Sequence, residues 1–239
     1  MPLFNGGLAT KTYHNYQYLI MKLLYLTVAT LLLLSSLAVA QTHFEPGYAV
    51  TLKGDTLYGT IDSRDLHGNP RQVKFNTAAG NNAMVLTPNN TQYLEVKGRQ
   101  AYQRYAGFIT LDHISEQQVL NERDTSMRLD TVFLKVLQKG EKLSLYSFSD
   151  HIKNRFYITE KDGEMPVELG YRLYYDSGKV NVYTGKGRTV SEDTYMTQLY
   201  NIALKHDLMT PDIQHKIEWL RYTKSYILEV VNKINGVKK

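Results

Sequence analysis

The sequence predicts an α+β protein: an antiparallel β-sheet or sandwich built from hairpins, followed by two or three C-terminal helices packed on it. Three observations carry this expectation. Residues 41–190 alternate apolar and polar side chains between turn signals rich in Gly, Asn and Asp. After Val190 the apolar spacing lengthens toward 3.6, and strands first with helices last is an α+β order. The chain contains no cysteine, so the core must hold without covalent staples. The 199 residues after Ala40 are enough for that, since a chain of this size buries roughly 70% of its unfolded surface.

Two segments precede the predicted domain. Residues 1–20 contain no acids and no clear period, and are expected to be an upstream extension of the gene start, with translation beginning at Met21. Residues 21–40 run from Lys22 through an uncharged stretch, Leu23 to Leu34, to Ser35-Ser36 and Ala38-Val39-Ala40. Charged, apolar and then small is the order of a secretory signal peptide cleaved after Ala40, and the apolar centre is shorter than the roughly 20 residues of a membrane span. The alternative is an uncleaved N-terminal anchor. A lipid anchor of the bacterial type needs a cysteine where this chain has Gln41. The expected product is residues 41–239, one domain, mainly β over 41–190 and mainly helical over 191–235.

In "GYAVTLKGDTLYGTID" the dipeptide Gly54-Asp55 suits a two-residue hairpin turn. That loop pairs Leu52 with Leu57, Val50 with Gly59 and Tyr48 with Ile61, which gathers these apolar residues on one face. In "TVFLKVLQKGEKLSLYSF" a turn at Lys139-Gly140 places Val132, Leu134 and Val136 on one face with Leu143 and Leu145, and sets Lys135 opposite Ser144. Shorter strands are expected in "RQVKF", "AMVLT", "QYLEV", "AYQRYAGFI", "RFYITE", "RLYYD" and "KVNVY", with a long loop over 115–128. Ser191 is the expected cap of a helix bearing Tyr195, Met196, Leu199, Ile202 and Ala203. Thr210-Pro211 opens another with Ile213, Ile217 and Leu220. Ile227, Val231 and Ile234 continue after a bend or break near Tyr222, and Asn235-Gly236 ends the tail. Trp219 is expected to anchor packing.

The order of these pieces resembles a family of uncharacterised exported proteins common in Bacteroidota. The resemblance rests on a Gly-Tyr strand entering "LKGDTLYGTI", then "VKF", "TPNNTQYLEV", "VFLKVLQKGEKLSLY", "FYI" and a tail ending "VVNKIN". It implies export and a β-rich fold, and carries over no catalytic residue.

Composition excludes several chemistries. The chain holds 28 Lys+Arg and 23 Asp+Glu, and without Lys11 and Lys22 the balance after residue 40 is +3, with both signs interspersed. That is unlike the one-sided basic face of a nucleic-acid reader. Without cysteine there is neither thiolate metal site nor thiol catalysis. Asp62, Asp65, His67 and Asn69 in "DSRDLHGNP" offer metal-type ligands, but their spacing is not that of a calcium loop, and turn formation explains the same residues. On strands, Asp112-His113 and Asp150-His151 would point to opposite faces and could not act as pairs. His206 and His215 flank Pro211 and are nine apart, which defeats a helical zinc pair. "GKGR" at 185–188 lacks the Walker pattern and reads as a basic turn. No G-x-S-x-G and no H-E-x-x-H occurs. Tyrosine is abundant, suited to sheet packing and to stacking on sugars or peptides. Short strands and a helical tail argue against an outer-membrane barrel.

The expectation for function is an exported protein of the cell envelope, periplasmic or secreted, acting as a non-catalytic binding module. Its partner would be an envelope protein, a peptide or a glycan, with no nucleic acid and no stable membrane insertion. No catalytic, cofactor-binding or metal residue is assigned. The alternative is an exported hydrolase whose site is assembled from distant segments, including the Asp62–His67 loop.

Overall fold

The computed structural model describes residues 16, 18–28, 43–66, 68–78, 83–115, 120, 122–161, 163–180 and 187–237. Residues 18–28 are helical, and the expected cleavage point at Ala40 lies outside the described residues. Among the described residues no helix is long and apolar enough to cross a membrane. The chain divides into a unit covering residues 1–43 and a unit covering 44–239, the second of which holds the strands found among the described residues and the C-terminal helices.

The fold is α+β, as predicted. Among the described residues twelve strands run in chain order: β1 (Phe44–Thr51), β2 (Thr56–Asp62), β3 (Val73–Thr77), β4 (Ala83–Leu86), β5 (Thr91–Val96), β6 (Gln100–Thr110), β7 (Met127–Gln138), β8 (Ser144–Ser149), β9 (Asn154–Thr159), β10 (Val167–Glu168), β11 (Arg172–Val180) and β12 (Gly187–Glu192). Three helices follow: α1 (Thr194–Lys205), α2 (Pro211–Glu218) and α3 (Lys224–Ile234). Ten strands form one antiparallel sheet in the order β10-β9-β8-β7-β6-β5-β1-β2-β3-β4, while β11 and β12 pair separately. Every neighbour in the large sheet follows its partner in sequence except β5, which returns to pair with β1 and so joins two meanders.

Both predicted hairpins exist, and both take a register other than the expected one. In the first, Tyr48 pairs with Tyr58, Ala49 with Leu57 and Gly47 with Gly59. The loop is longer than two residues because Gly54 N–H bonds to Thr51 O (3.1 Å), Thr51 N–H bonds to Asp55 O (2.9 Å), and Thr51 Oγ1 accepts from the N–H groups of Lys53 and Asp55. Gly54 has φ +93°, the left-handed residue that closes a three-residue hairpin loop. The shift is odd, so the residues of β1 change face relative to those of β2. Ala49, Leu57 and Ile61 turn inward, while Tyr48, Val50 and Tyr58 turn outward. Packing favours this choice. A Cβ on Gly59 would lie 2.9 Å from the Phe75 ring and 2.0 Å from Asn76 O, so the paired glycines leave the room that Phe75 and Ile61 fill.

The second hairpin departs from expectation in the same way. Lys135 pairs with Ser147, Val136 with Tyr146, and a bulge brings Gln138 opposite Leu145. Leu134 and Val136 therefore share a face with Tyr146 and Phe148, whereas Leu143 and Leu145 face the helices. Strands β6 and β7 span 11 and 12 residues, longer than the short strands expected.

The helical core collects Leu143, Leu145, Phe156, Ile158 and Leu169 beneath Tyr195, Leu199, Ile202, Ala203, Ile213, Ile217, Leu220, Ile227, Val231 and Ile234. Burial of each such aliphatic side chain is worth about 1.5–3 kcal/mol. Thr210 caps α2 by accepting the Ile213 N–H, with Pro211 at the first helical position, as predicted. Ser191 instead belongs to β12, and α1 starts at Thr194 because β12 holds the chain extended through Glu192. The break at residues 219–223 makes two helices rather than a bent one. Trp219, at the C-terminal cap of α2, is 73% exposed and anchors nothing, because Ile213, Ile217 and Leu220 already fill the inward face.

A second core joins Ala49, Ile61, Val73, Phe75, Leu86, Leu94, Val96, Tyr102 and Phe133. The segment after β2 reaches back to strands β6 and β7, since Leu66 O meets the Tyr102 hydroxyl and Asn69 Nδ2 meets Phe133 O. Leu66, in the turn of 3₁₀ helix Ser63–Leu66, closes that core, and its carbonyl accepts from the Tyr102 hydroxyl at 2.9 Å. On the opposite face Tyr105, Ile109, Leu134, Tyr146, Phe148 and Tyr157 form a third cluster.

Candidate functional site at the fork of β7 and β8

The β7–β8 ladder ends at Lys135–Ser147, while β8 continues to Ser149 against β9. The two strands part there, and Asn69 bridges the fork. Its Nδ2 donates to Phe133 O (2.8 Å) and Ser147 O (3.0 Å), and its Oδ1 accepts the Ser149 N–H (2.8 Å). One side-chain amide thus supplies the hydrogen bonds a neighbouring strand would make.

Beside this bridge lies a cleft of about 330 Å³. Three segments bring its walls together: Asn69-Pro70-Arg71, the β4–β5 turn Thr87-Pro88-Asn89, and the parting strands with Arg128, Asp130, Val132, Phe148, Asp150 and His151. The β4–β5 turn is fixed by Asn90, whose Oδ1 accepts the Thr87 N–H and whose Nδ2 donates to Val85 O. Arg104 Nε donates to Pro88 O at 2.7 Å and ties the turn to β6. Arg128 and Asp130 pair at 3.0 Å. Arg71 and His151 are exposed and make no ion pair among the described residues.

Asp150 is the most constrained acid of the cleft. It follows β8 rather than lying on a strand, and its Oδ1 accepts from the N–H groups of Ile152 and Lys153 and from Arg155 Nη1 at 2.9 Å. Burial pushes this carboxyl up, but the hydrogen bonds from Arg155 and the backbone outweigh it and hold the group below its usual value. Its Oδ2 is buried and accepts no hydrogen bond among the described residues. Arg155, fully buried, also donates to Thr110 O. Behind it Lys153 donates to both oxygens of Asp112 at 2.9 Å and lies 3.8 Å from Glu168. Burial pulls the Lys153 ammonium below its ordinary value, against the Asp112 hydrogen bond.

The remaining sequence candidates fall in separate places. Asp62 is buried and both its oxygens are taken by Arg64 at 2.6 and 2.9 Å, which lowers its pKa. The Asp65 side chain and His67 lie outside the described residues, as do Gly185 and Lys186 of "GKGR"; Gly187 and Arg188 open β12, with Arg188 opposite Asp176. Asp112 faces Lys153 rather than His113, whose Nδ1 is buried without a partner among the described residues. His206 meets Glu160 at 2.8 Å, and His215 lies on α2 with its ring 6.4 Å from that of Trp219. Among the described residues no group of three or more His, Cys, Asp or Glu could hold a metal. Sequence reasoning missed Arg71, Arg128, Asp130 and Arg155, which no local pattern marks; the unbroken alternation of β7 concealed that its first half leaves β8.

Comparison with family models, with curated proteins and with solved structures found no match to this chain.

Proposed function

We propose that this chain is an exported cell-envelope protein acting as a non-catalytic binding module, with the cleft at the β7–β8 fork as its ligand site. The observation that carries the reading is the pair of groups in the cleft left unspent among the described residues: a buried acceptor, Asp150 Oδ2, and a donor without an ion pair, Arg71. A buried acceptor without a partner is costly, and a ligand that donates to it removes the cost. The walls add apolar contacts from Pro88, Val132 and Phe148 to the polar groups of Asn89 and Thr131. That mixture suits a ligand rich in both donors and acceptors, such as a peptide end or a glycan. Export rests on the leader-like residues 21–40 and on the resemblance to exported Bacteroidota proteins.

The test has two parts. N-terminal sequencing of the chain recovered from a Gram-negative host should begin at Gln41, and an intact N-terminus counts against export. Peptide and oligosaccharide libraries should yield a ligand whose affinity drops about tenfold or more in Arg71→Ala, the loss expected for a charge-assisted hydrogen bond. Ligands indifferent to that change would place binding elsewhere.

A second reading, an exported hydrolase, is favoured by one observation: Asp130 on β7 and the adjacent Asp150-His151 after β8 reach the same cleft. Unchanged turnover of ester, peptide and glycoside substrates in His151→Ala and Asp130→Asn would eliminate it.

A further inference from the structure

The odd register of the first hairpin turns three tyrosines outward on the face of β1, β2 and β5 opposite the core. Tyr48 and Tyr58 are directly paired, their ring centroids 6.1 Å apart, and Tyr48 and Tyr93 lie 5.8 Å apart. Tyr58 is 68% exposed. The hydroxyls of Tyr48 (2.9 Å) and Tyr93 (2.7 Å) both donate to one oxygen of Glu95, which is paired opposite Tyr48. Burial, reinforced by these hydrogen bonds to a carboxylate, raises both phenols above their ordinary value. Their protons are committed to Glu95 and the rings are locked in place. The other oxygen, Glu95 Oε1, accepts no hydrogen bond among the described residues. One cation already sits here: Lys139 Nζ lies 5.3 Å from the centroid of the Tyr93 ring.

The buried cores do not account for this arrangement, since inward tyrosines such as Tyr102 and Tyr157 belong to them and these three do not. What they offer is a rigid aromatic surface with a carboxylate oxygen beside it, and the cation over Tyr93 reveals which charge it attracts. A guanidinium can stack on Tyr58 and Tyr48 while donating to Glu95 Oε1, using its flat face and its edge together. We propose that this face binds an arginine-bearing polypeptide segment, a second site independent of the cleft, with Lys139 as its internal competitor.

The experiment is calorimetric titration of the purified chain with a tetra-arginine peptide, with tetra-glutamate and a neutral oligosaccharide as comparison probes. Tetra-arginine should bind and the other two should not. Affinity should fall about tenfold in Tyr58→Ala and in Glu95→Gln, persist in Tyr58→Phe, which keeps the ring, and rise in Lys139→Ala, which removes the competitor. Arg71→Ala in the cleft should leave it unchanged, which separates this site from the proposed ligand site. Equal binding by Tyr58→Ala and the parent chain overturns the proposal. So does a response to the oligosaccharide in place of tetra-arginine, or no binding at all. Glu95→Gln retains an acceptor for both hydroxyls and Tyr58 is exposed, so neither change should unfold the protein.

Discussion

The C-terminal helices and the two predicted hairpins are built from equally regular sequence, yet only the helices adopt the packing their pattern implies. In the helices, Leu199, Ile213, Ile217, Ile227 and Ile234 are buried as their spacing requires. In the hairpins, the faces expected for Tyr48, Val50, Leu143 and Leu145 come out reversed or divided. The difference lies in the two periods. An apolar stripe on a helix spans more than a quarter of its circumference, so an error of a residue at the boundary leaves the stripe in place. A strand has only two faces, and an odd error in loop length exchanges them completely.

The largest expected effect probes the buried Arg155–Asp150 pair. Arg155→Met leaves Asp150 without its guanidinium partner and should cost about 3–5 kcal/mol in denaturant unfolding; a cost under 1 kcal/mol would mean that the buried pair is not a unit. Leu199→Ala in the helical core should cost about 2–5 kcal/mol, and the same measurement decides whether the helices are integral to the sheet or merely appended. Asn69→Ala should cost about 1–3 kcal/mol, because the backbone groups it bridges lose their partners. It should also weaken any ligand of the cleft. Gly54→Ala should cost about 1–2 kcal/mol through its left-handed φ, whereas the expected two-residue turn with Gly54 in its first loop position would have the same sensitivity. The sharper discriminator is therefore Thr51→Val, which removes the hydroxyl that accepts from Lys53 and Asp55 and should destabilise the three-residue loop by roughly 1 kcal/mol.

The smallest effect is electrostatic. Asp62 is lowered by the Arg64 hydrogen bond, and Asp150 is lowered because its hydrogen bonds outweigh its burial. Groups with depressed folded-state pKa stabilise above the unfolded value, about 3.9 for Asp, and lose that contribution as pH falls through the folded value. In this range the unfolded chain takes up protons first. Stability should therefore decline from about pH 5 downward, and the decline should shrink in Asp62→Asn. A flat profile would mean that neither carboxylate is coupled to folding.

Legibility followed the range of the interactions involved. The caps at Thr210-Pro211 and the heptad-like stripe of α3 are settled within a few residues, and the sequence displays them. The end at Asn235-Gly236 is local too, although Asn235 does more than terminate a helix: its side chain accepts from Leu143 N–H and donates to Leu143 O, stitching α3 to the β7–β8 turn. Asn69 looked like a turn residue or a weak ligand, and its partners lie 64 to 80 positions away. The cleft was invisible for the same reason, since its walls come from segments whose spacing along the chain carries no signal.

By itself the sequence determined that this is a cysteine-free α+β chain with hairpins before helices, because alternation, turn residues and caps are short-range preferences that any window reveals. Only the tertiary structure decided which face each strand buries, where β7 leaves β8 and which tyrosines remain outside. Those outcomes depend on how volumes fit between strands distant in sequence, as the paired Gly47 and Gly59 make room for Phe75 and Ile61, and no local pattern encodes the space that remains.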